Sequence, residues 1–226
     1  MWLDRGERDW LLPLLRQAPQ GFPGYRHTPY AGGRGATVRV EHERGPLAIR
    51  AGIRGGLPGR LWSRTYFGFS PRVRDELEVT AYLRQRGVAV PQPLGAVVQW
   101  RAPGCYRSWF ATAALDGTSS LIRWLERSAD AAAREHAAEA IGSALRHLHR
   151  AGVTHPDLNL HNILVSDATG EITLIDFDRA RIADGPVEDE TGVLRRLSRS
   201  AARLDPNGRV VTATFLAQIR TAYRPL

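Results

Sequence analysis

Residues 154–179 read THPDLNLHNILVSDATGEITLIDFDR and contain the most informative motifs of the chain. Asp157 stands in a polar loop, Asn162 follows it with four residues between, and a second short apolar run ends at Asp176. Phosphoryl transfer from a nucleotide needs a carboxylate beside the acceptor hydroxyl, and Asn and Asp oxygens that hold Mg²⁺ on the phosphates. The pattern therefore predicts Asp157 as a catalytic residue, and Asn162 and Asp176 as metal ligands.

Each of the three residues also has a plainer interpretation. Asp157 could form a turn at a loop tip, Asn162 could cap a turn, and Asp176 could make an Asx turn at the end of a strand. His155 is expected to support the loop by hydrogen bonds rather than to take part in the chemistry. The order and distances of the three residues favour the phosphoryl-transfer site.

The composition is that of an ordinary globular protein, large enough for one well-filled domain or two small lobes. The chain has 226 residues, of which 43% are hydrophobic and 24% charged. Its net charge is +8, and since it contains no Lys, all 31 basic residues are Arg. The guanidinium group binds phosphate and carboxylate in bidentate fashion. The charge favours an acidic substrate or an anionic membrane face, although genome bias toward Arg is an alternative and charge alone leaves nucleic acid open.

The cysteine content, the apolar runs and the N-terminal residues indicate the cellular compartment. Cys105 is the single cysteine, which excludes an internal disulfide and suits a reducing compartment. No apolar run approaches the roughly 18 residues that span a bilayer, and residues 1–7 lack the long apolar region of a secretion signal. We expect a cytoplasmic protein, dissolved or resting on a membrane.

The first half predicts an antiparallel sheet with one helix. A Gly-rich turn at 31–36, which includes Gly33 and Gly35, precedes an alternating strand at 37–40 and suits phosphate contact through backbone N–H groups. A plain hairpin turn is the alternative. Arg50 ends the next strand, and a helix with Ser70 as its N-cap and Pro71 as its first residue places Glu76 near its inward face. We expect an ion pair between Arg50 and Glu76.

Two other segments of the first half carry hypotheses. Residues 1–20 predict a short helix, interrupted near Pro13, that packs on the domain in preference to touching a membrane interface. The loop at 52–70 contains many Gly, Arg and aromatic residues, and long loops in compact domains are often functional. Arg54, Arg60 and Arg64 are its candidates for contact with an anionic substrate, and a solvated basic loop is the alternative.

The second half predicts mainly helices. One begins at Leu121, and a longer one covers 130–151, with apolar residues at helical spacing and Gly152 as the stop. A strand pair at 162–165 and 171–175 follows, and a final helical region runs from about 189 to 222. No internal repeat stands out.

Together these features resemble the protein-kinase-like fold in a compact form, over about residues 30–200. Asp157 and Asn162 have the spacing of the kinase catalytic loop, and Asp176-Phe177-Asp178 stands where that family has Asp-Phe-Gly. The resemblance implies an α+β, two-lobed fold, with a small antiparallel sheet and one helix in residues 1–114 and a mainly helical lobe in 115–226. Arg50 occupies the strand position of the usual kinase Lys.

A narrower resemblance is to the 3-deoxy-D-manno-octulosonic acid (Kdo) kinases of the lipopolysaccharide kinase superfamily. It is carried by Ile49-Arg50, Arg54-Gly55-Gly56-Leu57, Glu76, Gly87, Val90-Pro91-Gln92-Pro93, His155-Pro156-Asp157-Leu158-Asn159-Leu160-His161-Asn162-Ile163-Leu164 and Ile175-Asp176-Phe177-Asp178. The Asp-Leu-Asn of the loop separates the chain from aminoglycoside phosphotransferases, which favour His-Gly-Asp, and from protein kinases, which favour His-Arg-Asp.

The resemblance implies a reaction and a location. The expected reaction is ATP- and Mg²⁺-dependent phosphorylation of a hydroxyl, the 4-position in the known cases, of Kdo attached to lipid A. Gly33, Gly35, Arg50 and Glu76 would bind the nucleotide, Asp157 would act in catalysis, and Asn162 and Asp176 would hold the metal. The protein would dock on the cytoplasmic face of the inner membrane without a transmembrane segment, with no nucleic-acid partner and no protein partner implied.

Other functions stay open at this point. A heptose kinase or another small kinase-like phosphotransferase would differ only in its acceptor. A pseudokinase that binds nucleotide would keep the fold without the transfer, but the presence of Asp157, Asn162 and Asp176 together argues against it. Asp178 departs from the usual Gly, which reduces the backbone freedom expected at that position.

Overall fold

The computed structural model describes residues 2–3, 6, 8–30, 37–52, 66–128 and 130–224. The chain forms two compact units, one of Met1–Ala81 with Pro91–Leu115 and the other of Tyr82–Val90 with Asp116–Leu226. Each unit is described by itself below. The assignment of nucleotide binding to residues 1–114 and of catalysis to 115–226 stays a prediction.

The first unit is built on an antiparallel sheet. Within the described residues its strands are β1 (Trp2–Leu3), β2 (His27–Pro29), β3 (Thr37–Val40), β4 (Leu47–Ala51), β5 (Tyr66–Phe67), β6 (Pro93–Ala102) and β7 (Cys105–Ala113). The strand order is β1-β6-β7-β4-β3-β2, and β5 pairs with β7. The helices are α1 (Arg8–Arg16), a 3₁₀ turn (Ala18–Gln20) and α2 (Arg72–Gln85), whose last residues belong to the second unit.

The sheet buries both of its faces, each against a different helix. One cluster of buried side chains joins α1 to the sheet and includes Leu11, Leu14, Leu15, Ile49, Val97 and Trp109. The other joins α2 to the sheet and consists of Val73, Ala96 and Phe110. Because neighbouring residues of a strand point to opposite faces, the adjacent pairs 96–97 and 109–110 supply one side chain to each cluster.

The prediction that α1 is interrupted near Pro13 is wrong. Pro13 lies inside a continuous helix, although it lacks the N–H that would bond to the carbonyl of Asp9. Leu11, Leu14 and Leu15 are fully buried. Their burial, at about 1.5–3 kcal/mol for each of the three side chains, outweighs the roughly 3 kcal/mol that Pro costs in the interior of a helix. The prediction that this helix packs on the domain is confirmed.

Helix α2 begins one residue after the predicted start and ends as the sequence predicts. It starts at Arg72, directly after Ser70-Pro71, and Gly87 follows its last turn with φ of 73°. The N–H of Gly87 donates to the carbonyl of Arg84, and that of Val88 donates to the carbonyl of Leu83. This pair of hydrogen bonds is the Schellman motif, which needs a left-handed residue and therefore favours Gly.

The second unit is mainly helical. Its strands in the described residues are β8 (Thr118–Ser120), β9 (Val153–Thr154), β10 (Ile163–Ser166), β11 (Ile172–Leu174) and β12 (Arg181–Ile182), paired in the orders β11-β10-β8 and β12-β9. Its helices are α3 (Leu121–Arg127), α4 (Ala131–Arg150), α5 (Glu190–Leu204) and α6 (Ala213–Tyr223).

The predicted final helical region is two helices rather than one. Helix α5 ends at Leu204, and the carboxylate of Asp205 accepts the backbone N–H groups of Arg209, Val210 and Val211. These hydrogen bonds compensate backbone groups that a continuous helix would otherwise satisfy. They also lower the pKa of the Asp205 carboxyl group.

The described helices include none whose length and apolar character would suffice to cross a bilayer.

Helices α4 and α6 approach each other closely at Gly142. A Cβ at this position would lie 2.5 Å from the carbonyl oxygen of Ile219, 2.7 Å from Cβ of Ala222 and 2.8 Å from the backbone nitrogen of Tyr223. Two of these three atoms are backbone atoms, which cannot move without moving α6. Gly142 is therefore required by the packing of the helices.

We expect Gly142→Ala to destabilise the protein by about 1–3 kcal/mol, because the added methyl group forces α4 and α6 apart. Intrinsic helix propensity alone would stabilise this variant by about 1 kcal/mol, so the two effects predict opposite signs. Urea unfolding monitored by circular dichroism measures the change. Ser143→Ala, at an exposed position of the same helix, is the control and should change the stability little; an equal or higher stability of Gly142→Ala would contradict the packing argument.

Candidate functional site

The loop 155–162 is anchored by apolar side chains while its acidic residue faces solvent. It leaves β9, which pairs with β12, and enters β10. Leu158 and Leu160 are buried, and the N–H of Leu160 donates to Oγ of Ser200 on α5 at 3.2 Å. The side chain of Asp157 is 52% exposed. The loop thus presents a carboxylate on a fixed backbone.

Two carboxamide side chains hold the backbone of Asp157. Its carbonyl oxygen accepts hydrogen bonds from Nδ2 of Asn159 at 2.8 Å and from Nδ2 of Asn162 at 3.1 Å. Oδ1 of Asn159 in turn accepts the N–H of His161 at 2.9 Å. Because the loop closes on its own side chains, Asn159 has a structural task in the Asp-Leu-Asn motif that spacing alone did not indicate.

Asn162 and Asp176 are brought together by an extension of the β10–β11 ladder. Ile163 pairs with Leu174 in that ladder, and beyond it the N–H of Ile175 donates to the carbonyl of Asn162 at 3.0 Å. Asp176 follows directly and has φ of 71°, in the left-handed region. Since Nδ2 of Asn162 is used on the loop, its Oδ1 is the atom available as a ligand.

His155 binds the carbonyl group of Ile175, the residue whose N–H binds Asn162. Its Nε2 donates to the carbonyl of Ile175 at 2.9 Å, and its ring lies 4.8 Å from that of Phe177. Burial lowers the pKa of His155, so the ring is neutral with its proton on Nε2. Nδ1 is buried and has no hydrogen-bond partner among the described residues. The prediction that His155 supports the loop by hydrogen bonds is confirmed.

Arg179 is a residue of this site that the sequence analysis did not single out. Its Nη1 lies 3.7 Å from Oδ1 of Asp157, and both side chains are more than half exposed. At such exposure the pair contributes little to stability, but it places a cation beside the carboxylate. Arg179 stands in the opening stretch of sequence, yet nothing in its spacing indicated this contact.

The predicted ion pair between Arg50 and Glu76 is present in the first unit. Nη2 of Arg50, on β4, contacts Oε1 of Glu76, on α2. The Glu76 side chain is 4% exposed and that of Arg50 is 29% exposed, so the carboxylate is buried while the guanidinium partly faces solvent. Gly33 and Gly35 lie outside the described residues, in the segment between β2 and β3. Arg54, Arg60 and Arg64 also lie outside them.

The oxygen atoms of Asn162 and Asp176 suit a hard divalent cation. Mg²⁺ is bound in nucleotide sites by one or two protein side chains together with phosphates and water, rather than by an all-protein cage. The part of the chain that the structure describes contains no group of three or more His, Cys, Asp or Glu residues placed to bind a metal. The donor set therefore fits Mg²⁺ that is bound jointly with a nucleotide.

Comparison with known proteins gives a consistent result. Residues 30–219 match the lipopolysaccharide kinase (Kdo/WaaP) family. A protein of Xylella fastidiosa (strain 9a5c), named 3-deoxy-D-manno-octulosonic acid kinase, is 33% identical over 210 residues, which cover 91% of this chain and 82% of that protein. A protein of the same name from Photobacterium profundum is 36% identical over 173 residues, which cover 75% and 71% of the two chains.

Among solved structures, the chain is similar to that of "WaaP in complex with acyl carrier protein". The TM-score is 0.63 at 20% sequence identity, and the likeness covers 100% of this chain and 89% of the other. At this identity the likeness concerns the fold alone.

The burial of His155 predicts a pH-dependent stability. Below the ordinary histidine pKa of about 6.5, the unfolded chain takes up a proton that the folded chain resists, so acidification favours unfolding. His155→Asn replaces the ring by a polar side chain that does not titrate. We expect the stability gap between wild type and this variant to narrow as the pH falls below 6.5.

Urea unfolding at a series of pH values measures this gap. His149, whose pKa is also lowered by burial, is present in both proteins, so its contribution cancels. His147→Asn, at an exposed position of α4, is the matched control and should follow the wild type. A gap for His155→Asn that stays constant with pH would refute the assignment of a neutral, buried ring.

Proposed function

The chain belongs to the lipopolysaccharide kinase (Kdo/WaaP) family, and we propose that it is an ATP-dependent kinase of Kdo in lipopolysaccharide core biosynthesis. The acceptor that we propose is Kdo attached to lipid A, and the modified group is its 4-hydroxyl. One observation carries the proposal: the loop hydrogen bonds hold Asp157 beside Asn162, next to Asp176, with the Asp157 carboxylate exposed. These are the groups that phosphoryl transfer requires.

Asp157 would position the acceptor hydroxyl and accept its proton. The hydroxyl oxygen forms a bond to the γ-phosphorus of ATP, the bond from that phosphorus to the bridging oxygen breaks, and ADP leaves. Because the transition state of phosphoryl transfer is loose, orientation of the hydroxyl matters more than basicity. The two carboxamides that hold the Asp157 carbonyl support this role, since they restrict the backbone that carries the carboxylate.

Asn162 and Asp176 would hold Mg²⁺ through Oδ1 and the carboxylate. The bound cation would neutralise charge that develops on the phosphates of the nucleotide. The left-handed backbone of Asp176 supports the assignment, because strained conformations of non-glycine residues concentrate at functional sites.

Arg50 would contact the α- and β-phosphates of ATP from its place beside Glu76. The pair with the buried carboxylate would orient the guanidinium, whose planar fork suits phosphate oxygens. Gly33 and Gly35 would supply backbone N–H groups to the same phosphates, and Arg54, Arg60 and Arg64 would contact the anionic acceptor. The roles of Gly33, Gly35, Arg54, Arg60 and Arg64 are predictions from the sequence alone.

The choice of Kdo over heptose rests on the relatives that share this chain's sequence over most of its length and are named Kdo kinases. A pseudokinase is disfavoured because Asp157, Asn162 and Asp176 are all present, each with a separate task. Because lipid A is a membrane lipid, we place the protein on the cytoplasmic face of the inner membrane, attached peripherally.

Replacement of Asp157 by Ala should lower the rate of phosphate transfer to Kdo-bearing lipid A by about 10²–10⁴-fold. The exposed carboxylate makes few contacts that stabilise the fold, so the unfolding midpoint should change little. Transfer of labelled phosphate from ATP, with purified protein, measures the rate. Asp184→Ala, at an exposed acidic residue of the same unit, is the control; turnover that survives in Asp157→Ala would reject the proposed mechanism.

Asp176→Asn should raise the Mg²⁺ concentration for half-maximal transfer at least about tenfold. Asn tolerates the left-handed region about as well as Asp, so the variant keeps the backbone and loses only the charge. Calorimetry of ATP binding with and without Mg²⁺ gives a second readout that does not depend on turnover. Asp184→Asn is the control, and an unchanged Mg²⁺ requirement in Asp176→Asn would remove Asp176 from the metal site.

A further inference from the structure

Exposed aromatic side chains cluster at one end of the sheet of the first unit. Of the large hydrophobic side chains that are exposed in the described residues, three are aromatic: Phe69 at 81%, Phe67 at 59% and Trp100 at 48%. The fourth, Ile182, belongs to the second unit. Large apolar side chains that cluster at the surface generally mark a site of interaction, whereas single ones need no explanation.

The three aromatic residues lie in or beside the β6–β7 hairpin. Strand β5 carries Phe67 and pairs with β7 at Tyr106 and Cys105, and Trp100 of β6 pairs with Tyr106 from the other side. The rings of Tyr66 and Tyr106 lie 5.5 Å apart, and those of Trp100 and Tyr106 lie 5.2 Å apart. The rings of Tyr66, Tyr106 and Trp100 thus form a ladder across the three strands on one face, and Phe67, the neighbour of Tyr66, points to the opposite face.

Phe69 lies against the turn of this hairpin. The N–H of Gly68 donates to the carbonyl of Gly104 at 2.8 Å, and a Cβ at Gly104 would lie 3.3 Å from the ring of Phe69. The ring therefore sits beside the exposed turn residues Ala102 and Pro103. We call Phe69, Trp100, Ala102 and Pro103 the aromatic tip.

The hairpin that carries the aromatic tip is basic. Strands β6 and β7 and the turn between them contain Arg101 and Arg107 and no Asp or Glu, whereas the start of α2 carries both charges. Arg101 is exposed and stands next to Trp100, and Arg74 is paired with Glu78 one turn further along α2. A surface that combines exposed aromatic rings with arginine complements the interface of an anionic bilayer, where rings enter the headgroup layer and guanidinium groups meet phosphates.

We propose that the aromatic tip is the surface by which this protein rests on an anionic phospholipid membrane. The inference rests on the proposed function, because an acceptor linked to lipid A is reached only at a membrane. Phe69 and Trp100 would enter the interface, and Arg101 would bind lipid phosphates. The hydrogen bonds of the hairpin hold these side chains in place before binding, which lowers the entropy cost of docking.

Sedimentation with vesicles tests the proposal. Vesicles of phosphatidylcholine with phosphatidylglycerol should bind the wild-type protein, and vesicles of phosphatidylcholine alone should bind it less. Phe69→Ser should lower the partition coefficient by about fivefold to tenfold, since one exposed ring no longer leaves water. Arg101→Glu should weaken binding to the anionic vesicles only. Phe69 is so exposed that its replacement should leave the unfolding midpoint unchanged.

Two matched variants in the second unit control these changes. Ile182→Ser removes an exposed hydrophobic side chain elsewhere, and Arg203→Glu reverses an exposed charge elsewhere. Both should bind vesicles like the wild type. A wild-type protein that fails to bind anionic vesicles, or a Phe69→Ser variant that binds as Ile182→Ser does, would overturn the proposal. Equal losses in Arg101→Glu and Arg203→Glu would also overturn it, because binding would then follow net charge.

The same variants separate this proposal from the proposed function. Transfer to a water-soluble, deacylated Kdo acceptor should be equal in wild type and Phe69→Ser, whereas transfer to acceptor embedded in vesicles should fall in the variant. If the wild type phosphorylates no Kdo acceptor, the proposed function fails, and sedimentation still decides the membrane contact. If Phe69→Ser loses binding to an RNA oligonucleotide or a protein while vesicle binding persists, the aromatic tip belongs to that partner and not to the membrane.

Discussion

Ile175 is held at both of its backbone polar groups, and the candidate site of the second unit depends on this constraint. Its N–H donates to the carbonyl of Asn162, and its carbonyl accepts Nε2–H of His155. Both partners belong to the loop that carries Asp157. The segment that ends in Asp176 is therefore held in register with the loop, and the two candidate motifs become one site.

This arrangement places Asp176 in an energetically unfavourable backbone conformation. Its left-handed backbone is disfavoured by roughly 1–2 kcal/mol for most L-residues, and Asp and Asn tolerate it best. Phe177, buried against His155, supplies apolar burial that offsets such a cost. The residue of this segment that needs an unusual backbone is Asp176 and not Asp178, whose φ is not positive. The absence of Gly at position 178 is thus compatible with the observed backbone.

Much of the fold was predictable because local rules act on neighbouring residues. The predicted α+β protein-kinase-like fold is confirmed by the likeness to WaaP. The strand pair β10–β11, the stop of α2 and the Arg50–Glu76 pair are present as predicted. One error occurred where tertiary contacts outweigh local preference, since buried leucines keep α1 continuous through Pro13. The last helical region is present as predicted, and local hydrogen bonds of Asp205 divide it into two helices.

The family, the spacing of Asp157, Asn162 and Asp176, and the periodicity of the surrounding elements can be read from the sequence, because each depends on residues that lie close along the chain. Three features exist only in the folded chain: Ser200 supports Leu160, Arg179 faces Asp157, and the aromatic tip forms at one hairpin. Such contacts join residues from different elements. Burial and strand register determine these contacts, and no pattern of residues that are adjacent in sequence predicts them.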